Sequence, residues 1–317
     1  MNRKSNIPSV DLKDFLSGDQ ARKAQFVKKL GEAYEDIGFV AVTNHGISDR
    51  LINRLYAQIK LFFELPDGVK AKYESANSGQ RGFTSFGKEH AKDAKKGDLK
   101  EFWHFGQILK KEDPLNAEYP ENIFCDELPE FNKAGLEAYR SFEKTGIAIL
   151  SALAIYLNMD EHYFDHWADR GNSILRPIYY PPLKGEPKGA VRAGEHEDIN
   201  LITLLVGASA EGLEVLHRDG TWIKAKPLPH QIVVNVGDML QRFTNNKLRS
   251  TTHRVVNPPK ELWGTPRYSV PFFLHPQSAM PLNCLESCVD SEHPKQYEDI
   301  TAGQYLIERL KEIGLKK

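Results

Sequence analysis

The sequence predicts a mixed α and β fold: a helical N-terminal region packed against a β core of sandwich or jelly-roll type, followed by a C-terminal helix. Three observations carry that prediction. Apolar residues recur at helical spacing through much of the first 170 residues, short alternating apolar runs follow Arg170, and helical spacing returns after Gly303. No internal repeat or low-complexity linker divides the chain. Residues 1–170 are therefore read as a mainly helical region that does not stand alone, 171–280 as the core and 281–317 as a helical tail.

Taken in order, about Asp19 to Ile37 sets apolar residues among Lys and Glu at helical intervals, and Gly38 stands where such a helix would stop. Gly38-Phe39-Val40-Ala41-Val42-Thr43-Asn44-His45-Gly46 reads as a short buried strand closed by a turn, followed by a second helix from Ser48 to Phe63 that Pro66 ends. Lys88 to Lys100, rich in Lys, Asp and Gly, is expected to be a mobile, solvated loop beside a pocket mouth. A long helix follows over about Glu130 to Leu157, where Phe131, Leu136, Tyr139, Phe142, Ile147, Leu150 and Leu153 form a core-facing stripe.

The later runs read as strands: Ile174 to Tyr180, Asp198 to Val206, Leu213 to His217, Thr221 to Ala225, Ile232 to Val236, Met239 to Phe243, Thr251 to Val256 and Tyr268 to Leu274. Tyr180-Pro181-Pro182, Arg218-Asp219-Gly220, Val236-Gly237-Asp238 and Asn257-Pro258-Pro259 supply turn chemistry between them.

Composition narrows the function classes. Lys plus Arg (42) nearly balances Asp plus Glu (43), so no net field draws the chain to nucleic acid or an anionic membrane, and a small-molecule partner is expected. No apolar run is long enough to span a bilayer, and the N-terminus lacks the apolar stretch of a signal peptide. Three cysteines, Cys125, Cys284 and Cys288, suit neither a disulfide framework nor a zinc cage, which points to reducing cytoplasm. Oligomeric state is left open, with a monomer compatible.

Two motifs carry chemistry. In a strand, alternate side chains share a face, so His196 and Asp198 of His196-Glu197-Asp198 would point together and Glu197 away. One more histidine would complete a 2-His-1-carboxylate set that leaves iron positions open. His253, in the β-forming context Ser250-Thr251-Thr252-His253-Arg254-Val255-Val256, is the candidate, with His217 and His230 as rivals on these grounds. Arg267-Tyr268-Ser269 repeats the period of two, and its guanidinium fork and hydroxyl can grip one carboxylate, such as the distal acid of a 2-oxo diacid.

With these residues in hand, the chain resembles the isopenicillin N synthase-like 2-oxoglutarate/Fe(II)-dependent dioxygenases over nearly its whole length. The resemblance rests on Ile7-Pro8-Ser9-Val10-Asp11-Leu12, the Gly38 to Gly46 segment and Phe62-Phe63-Glu64-Leu65-Pro66 in the front half. In the core it rests on His196-Glu197-Asp198, Thr203-Leu204-Leu205, Gly212-Leu213-Glu214-Val215, Asn235-Val236-Gly237-Asp238, Thr244-Asn245-Asn246, His253-Arg254-Val255 and Arg267-Tyr268-Ser269. It implies a double-stranded β-helix (jelly-roll) core and selects His253 as the third ligand, giving His196, Asp198 and His253 for Fe(II). It also implies Arg267 and Ser269 for the 5-carboxylate of 2-oxoglutarate, with Tyr180 of Arg176-Pro177-Ile178-Tyr179-Tyr180 approaching the cosubstrate. Ile178 departs from the family, which usually has asparagine there.

The implied reaction consumes dioxygen and 2-oxoglutarate, releases succinate and carbon dioxide, and oxidises a small molecule, usually by hydroxylation. Arg81, Phe83, Phe102, His104, Arg176 and Phe273 are the candidate substrate contacts, and an arginine lining the pocket would point to an acidic substrate. The alternatives are a 2-oxoglutarate-independent Fe(II) oxidase of the same fold, whose Arg and Ser bind the substrate's own carboxylate, and a zinc hydrolase or metal-binding module using the same ligands.

Overall fold

The computed structural model describes residues 7–74, 80–89, 97–187, 189–207, 211–225 and 228–312. Its long helices form for the reasons the sequence suggests. Asp19 accepts hydrogen bonds from Ala21 and Arg22 N–H at the start of Gln20–Asp36, and Ser48 caps Asp49–Phe63 through Leu51 N–H. Gly38, at φ 72°, ends the first of these in the left-handed region and sends its N–H back to the Ala33 carbonyl at 3.1 Å.

Strands divide between two sheets. The larger runs Ser9–Asp11, Phe39–Thr43, Ile232–Val236, Ile202–Val206, Arg267–Leu274, Ile174–Leu175, Glu101–Gly106 and Gly82–Thr84, and Ile178–Tyr180 pairs with both Arg267–Leu274 and Glu101–Gly106. The smaller runs Trp222–Lys224, Leu213–Leu216, His253–Val255 and Ala193–His196. One face of the large sheet packs on the helix Pro129–Tyr156, where Tyr139 and Phe142 lie 5.1 and 5.7 Å from the Phe272 ring and Phe131 lies 5.0 Å from Phe105. Each such buried aromatic side chain contributes on the order of 2–3 kcal/mol through removal of apolar surface from water. The opposite face looks into the barrel, which the smaller sheet closes; Phe39, Val233, Leu213, Val215 and Ile223 form a separate apolar cluster there.

Several expectations are corrected. The front region holds more strand than the one expected at Phe39–Thr43: Ser9–Asp11, Gly82–Thr84 and Glu101–Gly106 also belong to the large sheet. Met239 to Phe243 lies in a helix, Asp238–Phe243, because Met239, Leu240 and Phe243 are buried together at one-turn spacing, and a strand would have split them between faces. The Ile174 to Tyr180 run breaks at Arg176-Pro177, where proline has no N–H to give the ladder, and the strand Ile202–Val206 begins after Asp198 rather than at it. Of the loop expected over Lys88 to Lys100, residues 90–96 lie outside the described residues, while Asp98 and Lys100 are buried rather than solvated.

Candidate metal and cosubstrate site

His196 is the last residue of its strand and stands directly across from His253 in the antiparallel pair. Their rings are 4.4 Å apart between centroids. Each ring is oriented by the carbonyl two residues before it: His196 Nδ1 donates to Gly194 O at 2.7 Å and His253 Nδ1 to Thr251 O at 3.0 Å. Both Nε2 lone pairs are left for another partner. Asp198 lies in the turn beyond the strand, and His253 Nε2 is 3.8 Å from its Oδ2. One ligand atom from each of the three residues falls within 4.8 Å of the others. Glu197 points outward and accepts from Thr252 Oγ1 at 2.5 Å.

The Asp198 carboxylate is fixed from behind. Its Oδ2 accepts from Thr203 Oγ1 at 2.7 Å and from Asn235 Nδ2 at 2.8 Å. Burial pushes this carboxyl upward, but the His253 and His196 imidazoles and those two donors outweigh it and hold it below the ordinary carboxylate value. Burial, then the neighbouring His253, lowers His196 to about 4, so the ring is neutral near pH 7. Two imidazoles and one carboxylate, pre-oriented by their hydrogen bonds, fit a divalent transition metal with open positions. Of the two rival histidines, His217 pairs with Asp219 and His230 with Asp49, and neither joins this group.

Arg267 and Ser269 both face the barrel and are 1% and 3% exposed, whereas Tyr268 faces the other way and stacks on Tyr179. Tyr180 stands opposite Arg267 in the sheet, with the Arg267 Cζ 4.9 Å from its ring centroid. Ile178 stands opposite Ser269 and packs with Phe102 and Tyr180, so an apolar wall occupies this position.

Among the candidate substrate contacts, four come together. The Arg176 guanidinium lies 4.5 Å from the Phe102 ring centroid and 5.0 Å from that of Phe273, and its Nε donates to His104 Nε2 at 2.5 Å. Phe273 is paired with Thr203, the residue that holds Asp198. Arg176 Nη1 donates to Glu89 Oε1 at 3.2 Å, and Lys100 Nζ reaches Glu89 and Asp98 at 2.8 Å each. Asp98 in turn accepts from Gly194 N–H at 3.1 Å, next to the His196 strand position. Burial opposes charge on Glu89 and Lys100, but their mutual attraction and that of Arg176 and Asp98 keep the carboxyl low and the ammonium high.

Phe83 and Arg81 are placed differently. Phe83 sits in the helix-side core, 5.8 Å from Phe62, because its strand position pairs with Trp103 rather than with the inward-facing Phe102. Arg81 is fully enclosed against Gly106, with Nη1 on Gln80 O and Nη2 on Asn172 Oδ1. The sequence reading also missed His275, buried with its Nδ1 unbonded. Burial, then Arg81 and Arg176 against an opposing Asp198, lowers this ring to about 4. The period of two extended one step past Phe273 would have found it. A cavity of about 410 Å³ has Leu205, Leu213, Val233 and Arg267 in its wall but none of the three ligands. The three residues whose ligand atoms converge, His196, Asp198 and His253, lie outside its wall.

Comparison with known proteins agrees with this geometry. Residues 171–276 match the model of the 2OG-Fe(II) oxygenase superfamily, and residues 7–127 match that of the non-haem dioxygenase in morphine synthesis N-terminal region. A 2OG-Fe(II) oxygenase family protein of Caulobacter crescentus is 41% identical and superposes with a TM-score of 0.90 over 98% of this chain and all of its own. The chain belongs to the 2-oxoglutarate/Fe(II) oxygenase family. A proline hydroxylase of Petromyces alliaceus is 33% identical over 96% of this oxygenase and 98% of its own length. A Neurospora crassa protein, solved at full length with alpha-KG (2-oxoglutarate) and thymine, is 30% identical with a TM-score of 0.85 over 98% of both chains. The oxygenase uses Fe(II), 2-oxoglutarate and dioxygen to oxidise a small molecule on a double-stranded β-helix fold. No helix among the described residues is long and apolar enough to cross a membrane.

Proposed function

We propose that His196, Asp198 and His253 hold the Fe(II), that Arg267, Ser269 and Tyr180 hold the cosubstrate, and that the substrate is a small, neutral, flat molecule bearing a carbonyl acceptor. When bound, the iron and 2-oxoglutarate supply the oxidising equivalent. The protein's own groups orient and enclose. Gly194 and Thr251 carbonyls hold the imidazoles, Thr203 and Asn235 hold the carboxylate, and the Arg267 fork with the Ser269 hydroxyl receives the distal acid.

The observation that carries the substrate reading is the Arg176–Glu89 pair. The sequence reading tied an arginine lining the pocket to an acidic substrate; we depart from it because Glu89 neutralises Arg176 and Lys100 is shared between Glu89 and Asp98. Arg176 therefore serves as a hydrogen-bond donor set between Phe102 and Phe273 rather than as a free charge. Thymine and 5-formyluracil, the ligands solved in the Neurospora crassa protein, are neutral carbonyl-bearing rings of this class and support the reading. A cytoplasmic location belongs to the same proposal, supported by three cysteines in free thiol form.

Anaerobic titration of the iron-loaded protein with 2-oxoglutarate should raise a weak visible charge-transfer band, and Arg267→Ala should lose it at the same concentrations. A band of undiminished affinity in that variant would refute the clamp. Succinate release should then be stimulated by thymine or uracil and not by benzoate or L-proline; stimulation by the acids alone would refute the neutral-substrate reading.

A further inference from the structure

Arg192 places a second buried positive charge beside the cosubstrate clamp. It stands immediately before the Ala193–His196 strand and is 1% exposed. Its Cζ is 5.9 Å from the Tyr180 ring centroid, and the Arg267 Cζ is 4.9 Å from the same centroid, so both guanidiniums share one buried phenol ring as neighbour. Arg192 Nη2 donates to the Thr265 carbonyl at 3.0 Å, while its buried Nε has no hydrogen-bond partner.

The buried lysines among the described residues have acids. Lys70 pairs with Glu101, and Lys100 with Glu89 and Asp98. Arg192 has no carboxylate partner among the described residues: the charged neighbour acting on it is Arg267, which adds to burial in lowering its hold on the proton. Arg81 also lacks an acid, but it faces Asn172 and Gly106, away from the clamp. A desolvated guanidinium with an unused donor and a like charge nearby is strongly unfavourable unless an anion completes the site.

We propose that Arg192 is a second cationic determinant of the cosubstrate site, acting with Arg267 to select a 2-oxo acid that carries a distal carboxylate. This rests on the reading that Arg267 and Ser269 receive that carboxylate. Removing Arg192 weakens binding of the diacid and leaves binding of a 2-oxo monoacid, which lacks the distal group, nearly unchanged. It also relieves repulsion in the ligand-free protein.

The test is anaerobic titration of iron-loaded wild type, Arg192→Gln, Arg192→Lys and Arg267→Ala with 2-oxoglutarate and with 2-oxobutyrate, together with melting curves with and without 2-oxoglutarate. Arg192→Gln should bind 2-oxoglutarate at least about tenfold more weakly and 2-oxobutyrate within about twofold of wild type, as expected for loss of one charge-assisted interaction. Its ligand-free melting temperature should not fall, its ligand-induced rise should shrink, and Arg192→Lys should recover part of the affinity. Unchanged 2-oxoglutarate affinity in Arg192→Gln, equal loss for both acids, or loss that lysine does not recover would overturn the proposal. If Arg267→Ala also binds 2-oxoglutarate normally, the clamp reading itself fails; if only that variant loses binding, Arg192 alone has been misassigned.

Discussion

Asn235 bears on the proposed metal centre from outside the proposed ligand set. Its amide donates to the same Asp198 oxygen that receives the Thr203 hydroxyl, so the carboxylate has one settled orientation before any metal arrives. Asn235→Ala would free that oxygen to rotate and leave a buried acceptor half-satisfied. Fe(II) affinity, measured by anaerobic titration of metal-free protein, is expected to fall by roughly 10- to 100-fold with the fold retained; an unchanged affinity would show that Thr203 alone fixes Asp198. At this scale the period-two pattern of Arg267 with Ser269 was readable in the sequence, since facing follows from strand geometry alone, whereas Asp198 meets His196 from the turn beyond the strand and not by strand alternation. Arg192, His275 and the Asp198 donors were not, because their roles depend on which distant segment lies across from them. Asn235 and Asp198, for instance, are 235 − 198 = 37 residues apart.

The short helix Asp238–Phe243 and the C-terminal helix Ala302–Glu312 meet at a carboxyl group: Tyr305 Oη donates to Asp238 Oδ2 at 3.3 Å. Burial raises this carboxyl from 3.8 to about 6, with Glu197 and Asp198 adding to the rise and a Ser250 hydrogen bond opposing it. The folded state therefore holds the proton more tightly than the unfolded chain. Its stabilising contribution is complete below about pH 4 and is lost as pH rises through about 6. Asp238→Asn cannot ionise, so its stability relative to wild type should improve by about 1.5 kcal/mol between pH 5 and pH 8, read from denaturant unfolding at the two values. A difference independent of pH would mean the carboxyl stays ionised throughout. The long helices around this joint were legible because their stripes run for several turns and their caps are local. The six-residue helix was not, since one and a half turns of Met239, Leu240 and Phe243 also satisfy an alternating reading.

At the scale of the molecule, the core and the front region share one sheet. Phe39–Thr43 lies between Ser9–Asp11 and Ile232–Val236, and Glu101–Gly106 carries both Ile174–Leu175 and Ile178–Tyr180 on its edge. A fragment of residues 171–280 would expose the open edges and the whole helix-facing surface of its sheet. Expressed alone, it should lack the dispersed methyl resonances of a folded protein, while the full chain should unfold in one calorimetric transition; a folded fragment would separate the two regions. The same insertion bears on biosynthesis. Val42 must wait for Ile232, 232 − 42 = 190 residues later, before its second neighbour exists. At bacterial or eukaryotic elongation rates of about 5–20 residues per second, the ribosome carries this strand with one edge open for roughly 10–40 seconds. During that interval the emerging polypeptide offers a natural handhold for chaperones and a ready seed for aggregation, so yield in a recombinant host should depend on translation speed and holdase supply more than on the stability of the finished enzyme.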